Sequence, residues 1–130
     1  MSADRAALLR EAYERVSRRD LDAFLTMVHE DVVWTEQMLP DTKVFHGHRG
    51  VRQWFDQVTQ VVTWGTLEFV SLEESGDDVV SEVLVRTRGI GSGVDVTATI
   101  FHVIRFRDGK IAEITALPDR DEARRAAGLD

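Results

Sequence analysis

Between residues 94 and 106 the chain alternates its side chains with a period of two, the signature of a β-strand with two unlike faces. Asp95, Thr97, Thr99, Phe101, Val103 and Arg105 fall on one face. Val96, Ala98, Ile100, His102, Ile104 and Phe106 fall on the other. Asp108-Gly109 follows, a pair suited to a tight hairpin turn, and residues 111–117 supply a returning strand rich in β-branched side chains. The second face of the longer strand is apolar at every position but one, His102.

Upstream, the period changes. Leu9, Ala12, Tyr13 and Val16 recur at helical spacing and predict an amphipathic helix over residues 3–17. Asp20 is placed to N-cap a second helix over 21–28, with Leu21, Phe24, Leu25 and Val28 on one side. A short strand over 32–36 puts Val32, Trp34 and Glu36 on one face, and an irregular loop spans 37–46. A third helix then carries an apolar stripe of Val51, Trp54, Phe55, Val58 and Val62. Strands over 67–73 and 79–88 come next. In the latter, Val79, Ser81, Val83, Val85 and Thr87 form one face, while Val80, Glu82, Leu84, Arg86 and Arg88 form an outward one. A short helix over 120–127 closes the chain, with Asp119 and Glu122 at capping-box spacing and Gly128 as its stop. Helices first and strands joined by short turns afterwards predict an α+β fold with an antiparallel sheet, one domain over residues 1–130. Such a sheet has one face to cover, and if it curls, the helices and its concave face enclose a pocket.

Composition narrows the chemistry. The absence of cysteine excludes disulfides, zinc–thiolate sites and thiol catalysis. A net charge of -7 is a poor match for nucleic acid, whose binders neutralise phosphates with Lys and Arg. No apolar run reaches the roughly 18 residues of a membrane span. The first residues carry no basic segment followed by an apolar one, so a cytoplasmic protein is expected. Gly89-Ile90-Gly91-Ser92-Gly93 lies between strands and lacks the Lys-Ser/Thr ending of a phosphate loop, and no cofactor is expected. His46 and His48 flank Gly47, but no third ligand accompanies them, so no metal is expected. Helix entry is their expected role.

Several motifs occur in a telling order: Asp20-Leu21-Asp22-Ala23-Phe24, Glu30-Asp31-Val32-Val33-Trp34, Phe45-His46-Gly47-His48-Arg49-Gly50-Val51-Arg52-Gln53-Trp54-Phe55, Ser92-Gly93, and Phe101-His102-Val103-Ile104-Arg105-Phe106-Arg107-Asp108-Gly109-Lys110-Ile111. Together they resemble the SnoaL-like branch of the nuclear transport factor 2-like superfamily, which includes ketosteroid isomerase-like and polyketide cyclase-like proteins. The resemblance implies a cone-shaped, curved sheet wrapped around the N-terminal helices, with a deep apolar pocket. It places Glu36 where the isomerase-like members carry their carboxylate base. It places His102 where they carry an acidic oxyanion-stabilising group, so the chain departs from the pattern there. The family's first-helix tyrosine corresponds to Tyr13, one residue out of register. The Asp-Arg-Asp pattern of limonene-epoxide-hydrolase-like members is not evident. Fold alone does not select a reaction.

Glu36 and His102 are therefore the candidate catalytic pair, expected within reach of a direct or one-water hydrogen bond. Histidine suits acid–base work because its ordinary pKa of about 6.5 lies near working pH. A carboxylate beside Trp34 would have its pKa raised by desolvation. The alternatives are a core histidine satisfied by a buried polar neighbour and a solvated strand-end glutamate. Tyr13, Met27, Trp34, Trp54, Ile100, Ile104, Ile114 and Ala116 are the candidate pocket wall. Two functions follow. One is a cofactor-independent isomerase, cyclase or dehydratase acting on a hydrophobic carbonyl-bearing molecule. The other is a non-catalytic binding or interaction module. The resemblance also implies a homodimer, for which the outward face of Glu82, Leu84, Arg86 and Thr99 is the expected surface.

Overall fold

Asp108 and Gly109 take φ angles of 54° and 76°, the left-handed pair that a two-residue hairpin needs, and the strands on either side run 95–107 and 110–117. Around this hairpin the computed structural model, which describes residues 2–37 and 41–129, assembles ten elements. They are α1 (Ser2–Ser17), α2 (Leu21–Leu25), β1 (Val28–Glu36), β2 (Lys43–His46), α3 (Gly47–Val61), β3 (Val62–Ser75), β4 (Asp78–Gly89), β5 (Asp95–Arg107), β6 (Lys110–Leu117) and α4 (Arg120–Ala126). The six strands form one sheet in the order β2-β1-β6-β5-β4-β3. The fold is α+β, a curved and unclosed sheet with helices on its concave side. No helix among the described residues is long and apolar enough to cross a membrane.

Strands β3 to β6 pair antiparallel with their chain neighbours, as their short turns dictate. The expectation of a wholly antiparallel sheet fails at one place: β1 lies parallel to β6. These strands are far apart in the chain, so no turn constrains their direction. The second helix is also shorter than its apolar spacing predicts. It ends at Leu25, and Val28 enters β1 opposite Ile111, where Ile111 N donates to Met27 O at 3.0 Å. The tertiary pairing overrides a helical pattern only a few residues long. Part of the expected loop is likewise strand: β2 is an edge strand paired antiparallel with β1. Residues 38–40 of that loop lie outside the described residues.

Alternation holds on the long strands. Val79, Ser81, Val83, His102 and Ile104 are all sealed on the concave side, under Leu9, Ala12 and Tyr13 of α1. Ser17 at the end of α1 accepts a hydrogen bond from the backbone N–H of Leu67 at 2.8 Å and ties the helix to the edge strand β3. The convex side is not simply solvated. There α4 folds back so that Ala123 and Ala127 bury Val80, Phe101 and Leu117, which the alternation places on the outward face. Asp119 caps α4 by accepting from Glu122 N at 3.1 Å, and Arg120 pairs with Glu82 at 2.7 Å.

Candidate functional site

The concave face and the helices enclose a cavity of about 440 Å³. Most of its wall is apolar. Its ionisable lining residues are Tyr13, Arg19, Glu36, Lys43 and His102. Strand register explains how several of these meet. Lys43 pairs with Glu36, Glu36 with Ala116, Ala116 with His102, and His102 with Ser81. Directly paired residues point to the same face, so the five form one row across the concave surface. Adjacent strands lie about 4.8 Å apart, so the backbones of Glu36 and His102 are separated by roughly 10 Å with Ala116 between them.

His102 is 3% exposed. Its Nδ1 lies 2.7 Å from Tyr13 Oη, which lies 2.7 Å from Ser81 Oγ. The tyrosine ring stacks on the imidazole with centroids 5.6 Å apart, and Trp34 meets it edge-on at 6.2 Å. Burial among these rings disfavours the imidazolium and pushes the His102 pKa from 6.5 down to about 4. The ring is therefore neutral at neutral pH. Burial also raises the Tyr13 phenol well above its ordinary 10, against a smaller opposing effect of the Ser81 hydrogen bond. Tyr13 is thus a neutral hydroxyl.

Glu36 occupies a different setting. It is partly exposed, and Trp54 Nε1 donates to its Oε1 at 3.1 Å. Trp54 is itself seated on Trp34, with ring centroids 4.1 Å apart. The two tryptophans thus pack side by side, Trp54 holding the carboxylate and Trp34 edging onto the imidazole. Trp34 Nε1 is sealed and, alone among the buried side-chain polar atoms of the described residues, has no hydrogen-bond partner.

Of the residues expected at the site, Glu36, His102, Tyr13, Trp34, Trp54, Ile100, Ile104 and Ile114 line the cavity. Met27 and Ala116 do not. Met27 sits in the link between α2 and β1, half-buried against the core. Ala116 lies in the correct row, but its single methyl only spaces its neighbours. The direct Glu36–His102 hydrogen bond is not formed. The carboxylate is held by Trp54, and His102 spends Nδ1 on Tyr13. Ser81 was overlooked, although it is the one small hydroxyl residue between Val79 and Val83 on an apolar face and so the same kind of exception as His102. Arg19 and Lys43 at the cavity were also missed; both are largely exposed, and nothing in their local pattern marks them. His48 donates from Nε2 to Val28 O at 2.9 Å and fixes the start of α3 to β1. No group of three or more His, Asp or Glu side chains placed to hold a metal occurs among the described residues.

Comparisons with known proteins agree with this architecture. An NTF2-like protein of unknown function from Burkholderia pseudomallei K96243 superposes with a TM-score of 0.79 at 29% identity, over 96% of this chain and 97% of that one. TerC, co-crystallised with polyporic acid, superposes at 0.75 with 24% identity over 96% and 98%. A candidate polyketide cyclase from Xanthomonas campestris pv. campestris gives 0.75 at 21% identity over 93% and 94%. No protein with a curated description matches the chain in sequence. The model of the SnoaL-like domain matches residues 9–114, most of the chain, and the protein belongs to the SnoaL-like family.

Proposed function

We propose that this protein is a small-molecule enzyme that performs cofactor-independent acid–base chemistry of the isomerase, cyclase or dehydratase type on a hydrophobic, carbonyl-bearing substrate. One observation carries the reading: Glu36 and His102 stand in one row of the concave face, one strand apart on either side of Ala116, and line the same largely apolar cavity. A substrate carbonyl directed at His102 leaves its α-carbon on the Glu36 side. Glu36 takes the α-proton. The C–H electrons move to the carbonyl oxygen, giving an enolate hydrogen-bonded by His102. Return of the proton from Glu36 at another carbon isomerises; attack of the α-carbon on a second carbonyl, with that proton passed to the new alkoxide, cyclises; and expulsion of a β-hydroxyl, which takes the proton and leaves as water, dehydrates. A neutral donor in a dry site is suited to the oxyanion, and such a donor contributes about 3 kcal/mol or more to transition-state stabilisation. Base catalysis adds roughly 10²–10⁴-fold.

The test is exchange of α-hydrogen in a bicyclic ketone such as 2-tetralone, followed in D2O by NMR. Exchange above buffer, reduced about a hundredfold or more in Glu36→Gln, is expected. Exchange that is absent in the native protein, or indifferent to that substitution, overturns the proposal.

We also propose that two copies pair through the convex face. Glu82 is engaged by Arg120 there, which leaves Leu84, Arg86, Thr97 and Thr99 as the patch beside α4. Light scattering of native protein and Leu84→Asp decides this: a monomeric native protein ends the idea.

A further inference from the structure

A neutral imidazole carries its proton on one nitrogen, and which one decides whether the cavity meets a donor or a base. The neighbours of His102 settle the matter by counting. Ser81 is fully buried, Tyr13 is 5% exposed, and their hydroxyls hydrogen-bond each other. Among the described residues, the Ser81 hydroxyl has no partner besides Tyr13, and His102 has none besides Tyr13. Two arrangements are open. In the first, Ser81 donates to Tyr13, Tyr13 donates to Nδ1, and Nε2 carries the ring proton. Every hydroxyl proton is then used. In the second, Nδ1–H donates to Tyr13, Tyr13 donates to Ser81, and the Ser81 proton has nowhere to go. A buried orphan donor disfavours the second arrangement by roughly tenfold or more.

Nε2 meets the cavity. Trp34 Nε1 is the one sealed and unpartnered side-chain polar atom among the described residues, so Nε2, which has no partner, is not sealed. His102 is a lining residue, and the cavity is the space it can meet.

We infer that Ser81 and Tyr13 are positioning residues that hold His102 as its Nε2–H tautomer, so that the cavity offers a hydrogen-bond donor at this depth and selects ligands bearing an acceptor oxygen there, a carbonyl or an enolate. The inference deepens the proposed function and rests on it for the site, although the tautomer stands independently of any reaction. It also divides the labour. A ring already protonated on its cavity side cannot be the base, which leaves proton abstraction to Glu36. Tyr13 acts through the imidazole rather than on the substrate.

Nitrogen-15 NMR of histidine-labelled protein at pH 7 tests the tautomer, because a protonated and a bare ring nitrogen resonate far apart. His102 is picked out from His29, His46 and His48 by its loss in His102→Gln. The native protein is expected to show Nε2–H. Ser81→Ala should keep that tautomer, since Tyr13 still has no other acceptor, while Nδ1 shifts toward the position of a free nitrogen. Tyr13→Phe should release the ring to a mixture of tautomers. A native Nδ1–H tautomer overturns the inference, and an unmoved Nδ1 in Ser81→Ala removes Ser81 from it. The ligand arm compares 2-acetylnaphthalene with 2-isopropenylnaphthalene, alike in shape but with a methylene in place of the acceptor oxygen. The ketone should bind the native protein roughly fivefold tighter, an advantage that is smaller in Tyr13→Phe. Equal binding of the two overturns acceptor selection. Nε2–H with a preserved ketone preference but no Glu36-dependent exchange would sink the enzyme reading and leave this inference standing.

Discussion

Protonating His102 should cost the fold a measurable and predictable amount. Burial holds its pKa near 4 in the folded chain, against 6.5 when solvated. The group is a base whose folded pKa is depressed, so its contribution is fully present above pH 6.5. Below that the unfolded chain binds the extra proton more readily, and stability falls until the folded form also protonates near pH 4. The difference of about 2.5 pH units corresponds to about 3 kcal/mol, with a limiting slope of about 1.4 kcal/mol per pH unit. A domain of this size has about 5–15 kcal/mol in total, so the effect is large. The local geometry gives the same sign. An imidazolium must donate from Nδ1, which turns the Tyr13 hydroxyl toward Ser81 and orphans the buried Ser81 proton. The assay is urea unfolding from pH 4 to 7.5 for native protein and His102→Gln, whose amide oxygen can still accept from Tyr13 but cannot be protonated in this range. The carboxylates titrate in both proteins and cancel in the difference. That difference should shrink by about 3 kcal/mol as the pH falls. Parallel curves across the range would refute a burial-depressed histidine.

Three further outcomes follow from single contacts. The alkaline limb belongs to Tyr13: burial raises its phenol, so its contribution is complete below about pH 10 and is lost as pH rises beyond it, and Tyr13→Phe should flatten that loss in unfolding measurements. Gly50→Ala should lower Tm despite alanine's better helix propensity. A methyl there would lie 2.8 Å from the Phe45 carbonyl carbon, an overpacking that costs about 1–3 kcal/mol, and a raised Tm would contradict it. Trp34→Phe should be mild for a residue buried to 4% exposure. It removes an orphaned indole N–H worth about 1–3 kcal/mol, which offsets the lost ring area, and a loss above about 3 kcal/mol in urea unfolding would contradict it.

Which side chains share a face was readable from the chain; how far apart they lie was not. Period-two alternation on β4 and β5 correctly assigns Val79, Ser81, Val83, His102 and Ile104 to one side, because that rule is local and residues 79–83 of β4 and 102–104 of β5 bury that face. The same rule puts Trp34 and Glu36 together on β1. The direct Glu36–His102 hydrogen bond is absent for a non-local reason. A parallel pairing seats β6 between β1 and β5, so Ala116 intervenes, and no short-range signal marks that insertion. Burial of Val80 and Phe101 is hidden in the same way, since it depends on α4 returning across the convex face. The beginning of β1 at Val28 and the edge strand β2 were missed because each is defined by its partner rather than by its own periodicity. Ser81 is the instructive case. The alternation that exposed His102 as the exception on β5 also exposes Ser81 as the exception on β4, and register makes the two direct neighbours. A polar exception on one strand reads as a solitary core residue. Two on adjacent strands, bridged by the chain's single tyrosine, make a hydrogen-bonded unit with a direction. That direction makes His102 a donor rather than a base, and it is decided by the Ser81 proton, the group farthest from the ring nitrogen that meets the cavity.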